Sequence, residues 1–172
     1  LIEVPKGVRS LQIELDYICN QPSTNSRGVD TYGNSYLGII NWNTLLMYPE
    51  SEGHANIEVT STLTLPDTWK LGCAIDSEQA DGNKWKLETV NMGELIDSPA
   101  IMGEHYRQIE LGTKDLAPTR LLITSESPAA LMVPDETVEK FSNLVVEAGI
   151  LFGGAHFEEY DFLVFCSDEL PN

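Results

Sequence analysis

Leu11, Ile13, Leu15 and Tyr17 alternate with Gln12, Glu14 and Asp16, and this period of two predicts a half-buried strand. Residues 20–36 are rich in Asn, Ser and Gly and read as a long loop. Residues 37–48 are largely apolar: a buried strand with a turn at Asn41, Trp42 and Asn43, stopped by Pro49. The clearest alternation follows, with Ile57, Val59, Ser61, Leu63 and Leu65 set against Glu58, Thr60, Thr62 and Thr64. Its β-branched, threonine-rich composition suits a strand. Pro66 and Asp67 turn the chain into Trp69, Leu71, Cys73 and Ile75, a further strand. Asp81-Gly82-Asn83 has the chemistry of a hairpin turn and leads to Trp85 and Leu87. Leu95 and Ile96 form a short apolar pair, and Pro99 holds Ser98 extended in the turn Asp97-Ser98-Pro99. Ile109 and Leu111 end another strand. Up to Lys114 the pattern gives about six or seven strands and no helix, which predicts a β-sandwich or a similar pair of β layers.

Beyond that point the texture changes. Residues 120–124, RLLIT, read as a short buried strand. Pro134-Asp135-Glu136 opens a helix, with acids where the helix dipole favours them. Val138, Phe141, Val145, Ala148 and Phe152 recur at helical spacing and form its apolar face. Gly153 and Gly154 end it, and residues 160–166, YDFLVFC, form a last apolar strand. The expected architecture is therefore mainly β, sandwich-like over residues 1–117, followed by a short β-α-β segment over residues 118–172: α+β overall, with a boundary near Ala117 and Pro118.

Composition narrows the function classes. Apolar residues make up 42% of the 172, so a real core is expected, and no apolar run approaches the ~20 residues of a membrane span. The net charge is −17. A field of that sign repels phosphate backbones, so nucleic acid and anionic membrane are excluded as expected partners. The acidity is spread along the chain, as on a solubilising surface. Cys19, Cys73 and Cys166 include no C-x-x-C pair, and an odd count leaves at least one thiol unpaired. Cys73 and Cys166 lie in apolar runs and are expected to be buried, inert thiols. The start at Leu1 has neither an initiator methionine nor the pattern of a signal peptide, so a processed or partial chain is expected.

The candidate chemistry is sparse. A zinc peptidase helix needs H-E-x-x-H, because residues i and i+4 share one helical face. His156 is followed by Phe157, Glu158, Glu159 and Tyr160, so the spacing fails. His54 and His105 are remote in sequence, and surface roles are expected for all three histidines. On a strand the adjacent Glu158 and Glu159 face opposite sides and cannot form an acid/base pair. No G-x-S-x-G presents a serine, and Ser98 reads as a turn residue. There is no phosphate-binding glycine loop. Trp42, Trp69 and Trp85 could line a sugar platform, but their apolar or alternating contexts favour core packing. No catalytic, cofactor-binding or metal-binding residue is assigned.

Several stretches taken in order resemble a known family. They are INWNTLLMYPE (40–50), VTSTLTLPDTWKLGCAI (59–75), ELIDSPAIMG (94–103) and LFGGAHFEEYDFLVF (151–165). Together they look like the glycyl aminopeptidase family of zinc metallopeptidases, with thermolysin-like catalytic domains. The matching positions are Tyr48-Pro49; Leu65, Pro66 and Trp69; Leu95 and Asp97-Ser98-Pro99; Leu151-Phe152-Gly153; and Tyr160, Phe162 and Leu163. The resemblance implies an N-terminal β-domain running into the first β-α-β of a peptidase domain. It places a Gly-Gly-Leu-Glu-His segment and the H-E-x-x-H zinc helix after the last residue here, so no family ligand or base maps onto this chain. It implies a parent that trims N-terminal glycine or alanine from peptides, with zinc bound elsewhere in the parent and none in this chain. The partners implied are the parent's downstream catalytic domain and its peptide substrate.

A different class stays in view: a free-standing β-sandwich that binds glycans or peptides without catalysis. Solvent-exposed tryptophans would favour it, and buried ones would favour the peptidase domain. A homodimer through an unpaired edge strand is a further expectation, because a seam between domains leaves apolar surface uncovered.

Overall fold

The computed structural model describes residues 2–19, 31–50, 52–112 and 116–168. The first sheet has the order β1 (Tyr32–Gly33), β2 (Leu37–Ile40), β9 (Ala100–Gly103) and β5 (Lys70–Cys73), antiparallel throughout. Two smaller antiparallel sheets flank it. One pairs β3 (Glu58–Val59) with β8 (Val90–Asn91), and the other orders β4 (Thr62–Thr64), β7 (Lys84–Leu87) and β6 (Ser77–Asp81). The last sheet places β11 (Thr119–Ser125) between β10 (His105–Leu111) and β12 (Tyr160–Cys166). Among the described residues there are two α-helices, α1 (Met92–Asp97) and α2 (Asp135–Phe152). The fold is thus mainly β and α+β overall, as the pattern predicts.

The largest core gathers Trp42, Leu65, Leu71, Cys73, Ile75, Leu87, Leu95, Ala100 and Met102. Sequence alternation explains much of it. Along residues 57–65 the even positions are exposed and the odd ones turn inward, ending at buried Leu65. That stretch is one strand by period but two in space: β3 pairs with β8, and β4 pairs with β7. A second core lies under α2, where Val138, Phe141 and Val145 pack on Leu111, Leu121 and Ile123. Gly153 closes the helix in the left-handed conformation at φ 75°, which a glycine adopts without a Cβ penalty.

β11 and β12 run parallel, joined by α2, the β-α-β order read from the sequence. β10 pairs antiparallel with β11 from Leu111↔Thr119 to His105↔Ser125, so this ladder spans positions 117 and 118. One face of the sheet carries α2. The other lies on the first sheet, where two glycines allow close approach. A Cβ on Gly103 would stand 2.1 Å from Thr124 Oγ1, and one on Gly72 would stand 3.0 Å from the Tyr106 ring.

Three expectations need correction. Residues 11–17 form no strand, and Leu11, Ile13, Leu15 and Tyr17 are exposed. Alternation gives a strand a face, but its backbone groups still need a paired neighbour, and none of the described strands lies alongside. Residues 31–36 of the expected loop instead build β1 and a hairpin into β2, while residues 20–30 of that loop lie outside the described residues. Finally, α1 stands where no helix was expected. Asn91 caps it: its Oδ1 accepts from the Glu94 N–H at 3.0 Å, and its Nδ2 donates to the Glu94 carboxylate at 3.3 Å. That Asn-x-x-Glu box was legible, but a single turn and a half carries too little periodicity to stand out.

Candidate functional site

Parallel strands bring their carboxyl ends together, and in open sheets ligands bind beyond those ends. Here the rim follows the pair Ser125↔Cys166. Glu126 continues from β11, and Ser167 and Asp168 continue from β12. Glu126 Oε1 accepts from Asn34 Nδ2 at 2.7 Å and from the Ser167 hydroxyl; Oε2 accepts from the Asp168 N–H at 3.2 Å. The Ser167 hydroxyl is the main influence holding the Glu126 carboxyl below the usual range. Partial burial opposes it, and the Asp168 N–H and Asn34 act in the same direction as Ser167.

Asn34 sits in the hairpin between β1 and β2. Its Oδ1 accepts the N–H groups of Tyr36 and Leu37 at 2.9 and 3.0 Å, a side-chain turn that shapes the hairpin tip. The Tyr36 carbonyl accepts the Glu104 N–H at 2.9 Å, fixing the tip to the connection between β9 and β10. Tyr36 remains 47% exposed. A segment distant in sequence is thus bonded to the carboxyl end of the parallel pair.

The face between the two sheets holds a charged cluster. Arg120 on β11 donates to Asp161 on β12 through Nε at 2.6 Å and Nη2 at 2.7 Å, in register across the parallel ladder. The Asp161 side chain is fully buried, and this two-point bond raises the guanidinium pKa further. Glu159 stands 3.3 Å from Arg120; burial pushes its carboxyl up while Arg120 pulls it down. Beside them burial pushes the Tyr106 phenol up to about 12, with Asp161 adding to the rise. Every ion in this cluster has a partner, so it reads as a fastening between β11 and β12.

The residues weighed from the sequence scatter. His54 is exposed and meets Tyr48 edge to face at 5.2 Å; His105 is half-buried on β10; His156 is exposed near the Phe152 carbonyl, beyond the C-terminus of α2. Glu159 joins Arg120 while Glu158 is exposed. Ser98 is buried and caps α1, and its carbonyl accepts the Trp42 indole N–H at 2.8 Å. Trp42 is buried in the core, and Trp69 and Trp85 are half-buried against it. Cys73 is buried, and desolvation pushes its thiol up to about 11. Cys166 is half-buried, less covered than its apolar run suggests, as is Cys19. Among the described residues no group of His, Cys, Asp and Glu could hold a metal ion, and no helix is long and apolar enough to cross a membrane. Sequence reasoning missed Asn34 and Glu126. Both lie in short polar stretches without a motif, and only the fold brings them together.

A second feature lies at the opposite end of the last sheet. Leu144, Ala148, Phe152, Phe157, Tyr160 and Phe162 line an apolar groove of about 340 Å³. Ile150, Leu151 and Phe152 continue it as an exposed ledge, at 77, 76 and 66%.

Comparison with known proteins gives the fold a context. A family profile described as the Peptidase M61 N-terminal domain matches residues 1–104. The crystal structure of an aminopeptidase N family protein from Idiomarina loihiensis superposes with a TM-score of 0.63 over 82% of this chain, at 17% sequence identity. At that identity the likeness speaks for the fold. The chain spans 27% of that protein's length. The curated proteins contain no match to the chain.

Proposed function

We infer the role of this chain from the family to which it belongs, that of the Peptidase M61 N-terminal domain. It is the N-terminal domain of a peptidase, and we propose that it packs on the catalytic domain and shapes its substrate cleft without supplying catalytic residues. The parent would be a zinc aminopeptidase releasing N-terminal glycine or alanine, with zinc held by residues outside this chain. The described residues offer no ligand set for such an ion, so no catalytic step is assigned to them. The observation that carries the reading is the Asn34–Glu126 bond, which fastens an N-terminal hairpin to the carboxyl end of the parallel pair. The uncovered apolar ledge on α2 fits a neighbouring domain, and the parent's own catalytic domain is the partner we assign to it. The inward packing of the three tryptophans speaks against a free-standing sugar-binding module.

The test is made in the full-length protein. The intact enzyme is expected to release glycine from a peptide N-terminus in a chelator-sensitive reaction. A version lacking residues 31–112 is expected to lose most of that activity and to melt at a lower temperature. Unchanged kinetics and stability after the deletion would sink the proposal.

A further inference from the structure

Residues 9–17 read RSLQIELDY and are all exposed. None of their backbone N–H or C=O groups bonds to another described residue, and none has a left-handed φ that would bar a strand. Their side chains alternate in space as they do in sequence. Gln12 Nε2 donates to Glu14 Oε1 at 3.2 Å, so these two share one side. Leu11 and Ile13 share the other, where they line a cavity of about 1000 Å³ with Leu46, Met47 and Tyr48. Met47 and Tyr48 are themselves 51 and 52% exposed, so the apolar side is loosely covered. Strand edges that stay single ordinarily carry lysine or proline. Residues 10–17 contain neither.

The stretch is complementary to itself in one register. When a strand pairs antiparallel with its own copy, the two apolar sides coincide only if the twofold axis passes through a residue, because side chains alternate. Centred on Glu14, the pairing sets that carboxylate against itself, and like charges directly opposite destabilise a ladder. Centred on Gln12, it sets Arg9 opposite Leu15 and Asp16 opposite Val8. Centred on Ile13, it sets Leu11 opposite Leu15, Gln12 opposite Glu14, Ser10 opposite Asp16 and Arg9 opposite Tyr17. Each carboxylate then faces a hydrogen-bond donor, and the one cation of the stretch faces an aromatic ring.

We propose that residues 9–17 pair with the same residues of a second copy, centred on Ile13, and that the chain forms a homodimer through this two-stranded ribbon. A ribbon of two strands is marginal in water without an apolar cover. Leu46, Met47 and Tyr48 supply that cover. The dimer does not depend on the peptidase reading.

Sedimentation of the full-length protein tests the proposal, at an ionic strength near physiological, where exposed charges are screened beyond about 8 Å. A monomer–dimer equilibrium is expected. Ile13→Pro removes an N–H at the axis and is expected to weaken the dimer at least about tenfold, since proline cannot donate to a ladder. Ile13 is 42% exposed, so the diluted variant is expected to melt as wild type does. Charge reads the register. Gln12→Glu sets carboxylates opposite each other twice in the dimer and is expected to weaken it several-fold; Gln12→Lys is expected to strengthen it several-fold. Glu78→Gln on exposed β6 shifts the net charge as Gln12→Lys does and is expected to change nothing. A protein that stays monomeric at every concentration overturns the proposal. So does a dimer that Ile13→Pro leaves intact, including one that Ile150→Ser abolishes, which would place the interface on α2. Equal effects of Gln12→Lys and Glu78→Gln overturn the register.

Discussion

β11 and β12 are neighbours with similar apolar sequences, and their environments differ. In β11 the residues from Leu121 to Ser125 are all buried; in β12 Tyr160 is exposed and Asp161 to Cys166 are half-buried. Composition cannot account for the difference, because YDFLVFC is at least as apolar as TRLLITS. Neighbours account for it. β11 has a strand on each edge, α2 over one face and the first sheet over the other. Among the described residues β12 has a strand on one edge only. Parallel strands are ordinarily covered on both faces. The lesson is that burial follows a strand's neighbours as well as its composition: β12 and the end of α2 are less covered by the described residues than β11 is.

The comparison breaks most strongly at Asp161, whose side chain is fully buried although the residue as a whole is half-buried. Asp161→Ala leaves the Arg120 guanidinium with Glu159 alone, at 3.3 Å. Removing one member of a buried pair costs about 3 kcal/mol or more. Glu159→Ala, which removes a partly exposed partner, is expected to cost less than about 1 kcal/mol. Urea unfolding of the two variants checks the contrast, and equal losses would mean that the buried pair does not fasten β11 to β12.

Gly103→Ala comes next. The added methyl meets Thr124 Oγ1 and the Tyr36 carbonyl where the two sheets touch. Overpacking of that kind costs about 1–3 kcal/mol. Gly53→Ala, whose Cβ finds nothing closer than 3.6 Å, is the control and is expected to be near neutral. Thermal melting reads both.

These sites also show what was legible in the sequence. Period two gave the inward positions from Ile57 to Leu65, and the helical spacing of Val138, Phe141 and Val145 gave the face of α2, because both signals follow from local backbone geometry. Pairing is not local. It divided residues 57–65 between two sheets and left residues 11–17 without a paired strand among the described residues. The family resemblance reached the N-terminal domain of a peptidase family through ordered short motifs, such as Asp97-Ser98-Pro99, in which Ser98 does structural work as a helix cap. The rim was hidden for a different reason. Asn34 and Glu126 carry no spacing rule, and a contact across 92 residues exists only once two sheets are folded together.

The smallest effect in the isolated chain carries the sharpest comparison. Ile150 and Leu151 sit on α2 at 77 and 76% exposure, so Ile150→Ser and Leu151→Ser remove little buried surface. In this chain alone each is expected to change stability by less than about 0.5 kcal/mol. In the full-length protein the same side chains lie, on our reading, under the catalytic domain. Full burial of such a side chain is worth about 1.5–3 kcal/mol, so the cost there is expected to rise to that scale. If sedimentation showed the isolated chain dimerising, and the two substitutions abolished that, the ledge would be a surface for self-association as well. The net charge of −17 opposes such a dimer, and its resistance to dilution should grow with added salt as repulsion between copies is screened. Equal, small costs in both the isolated chain and the full-length protein would mean that no further domain covers α2, and β12 would then be an edge strand that stays at the edge.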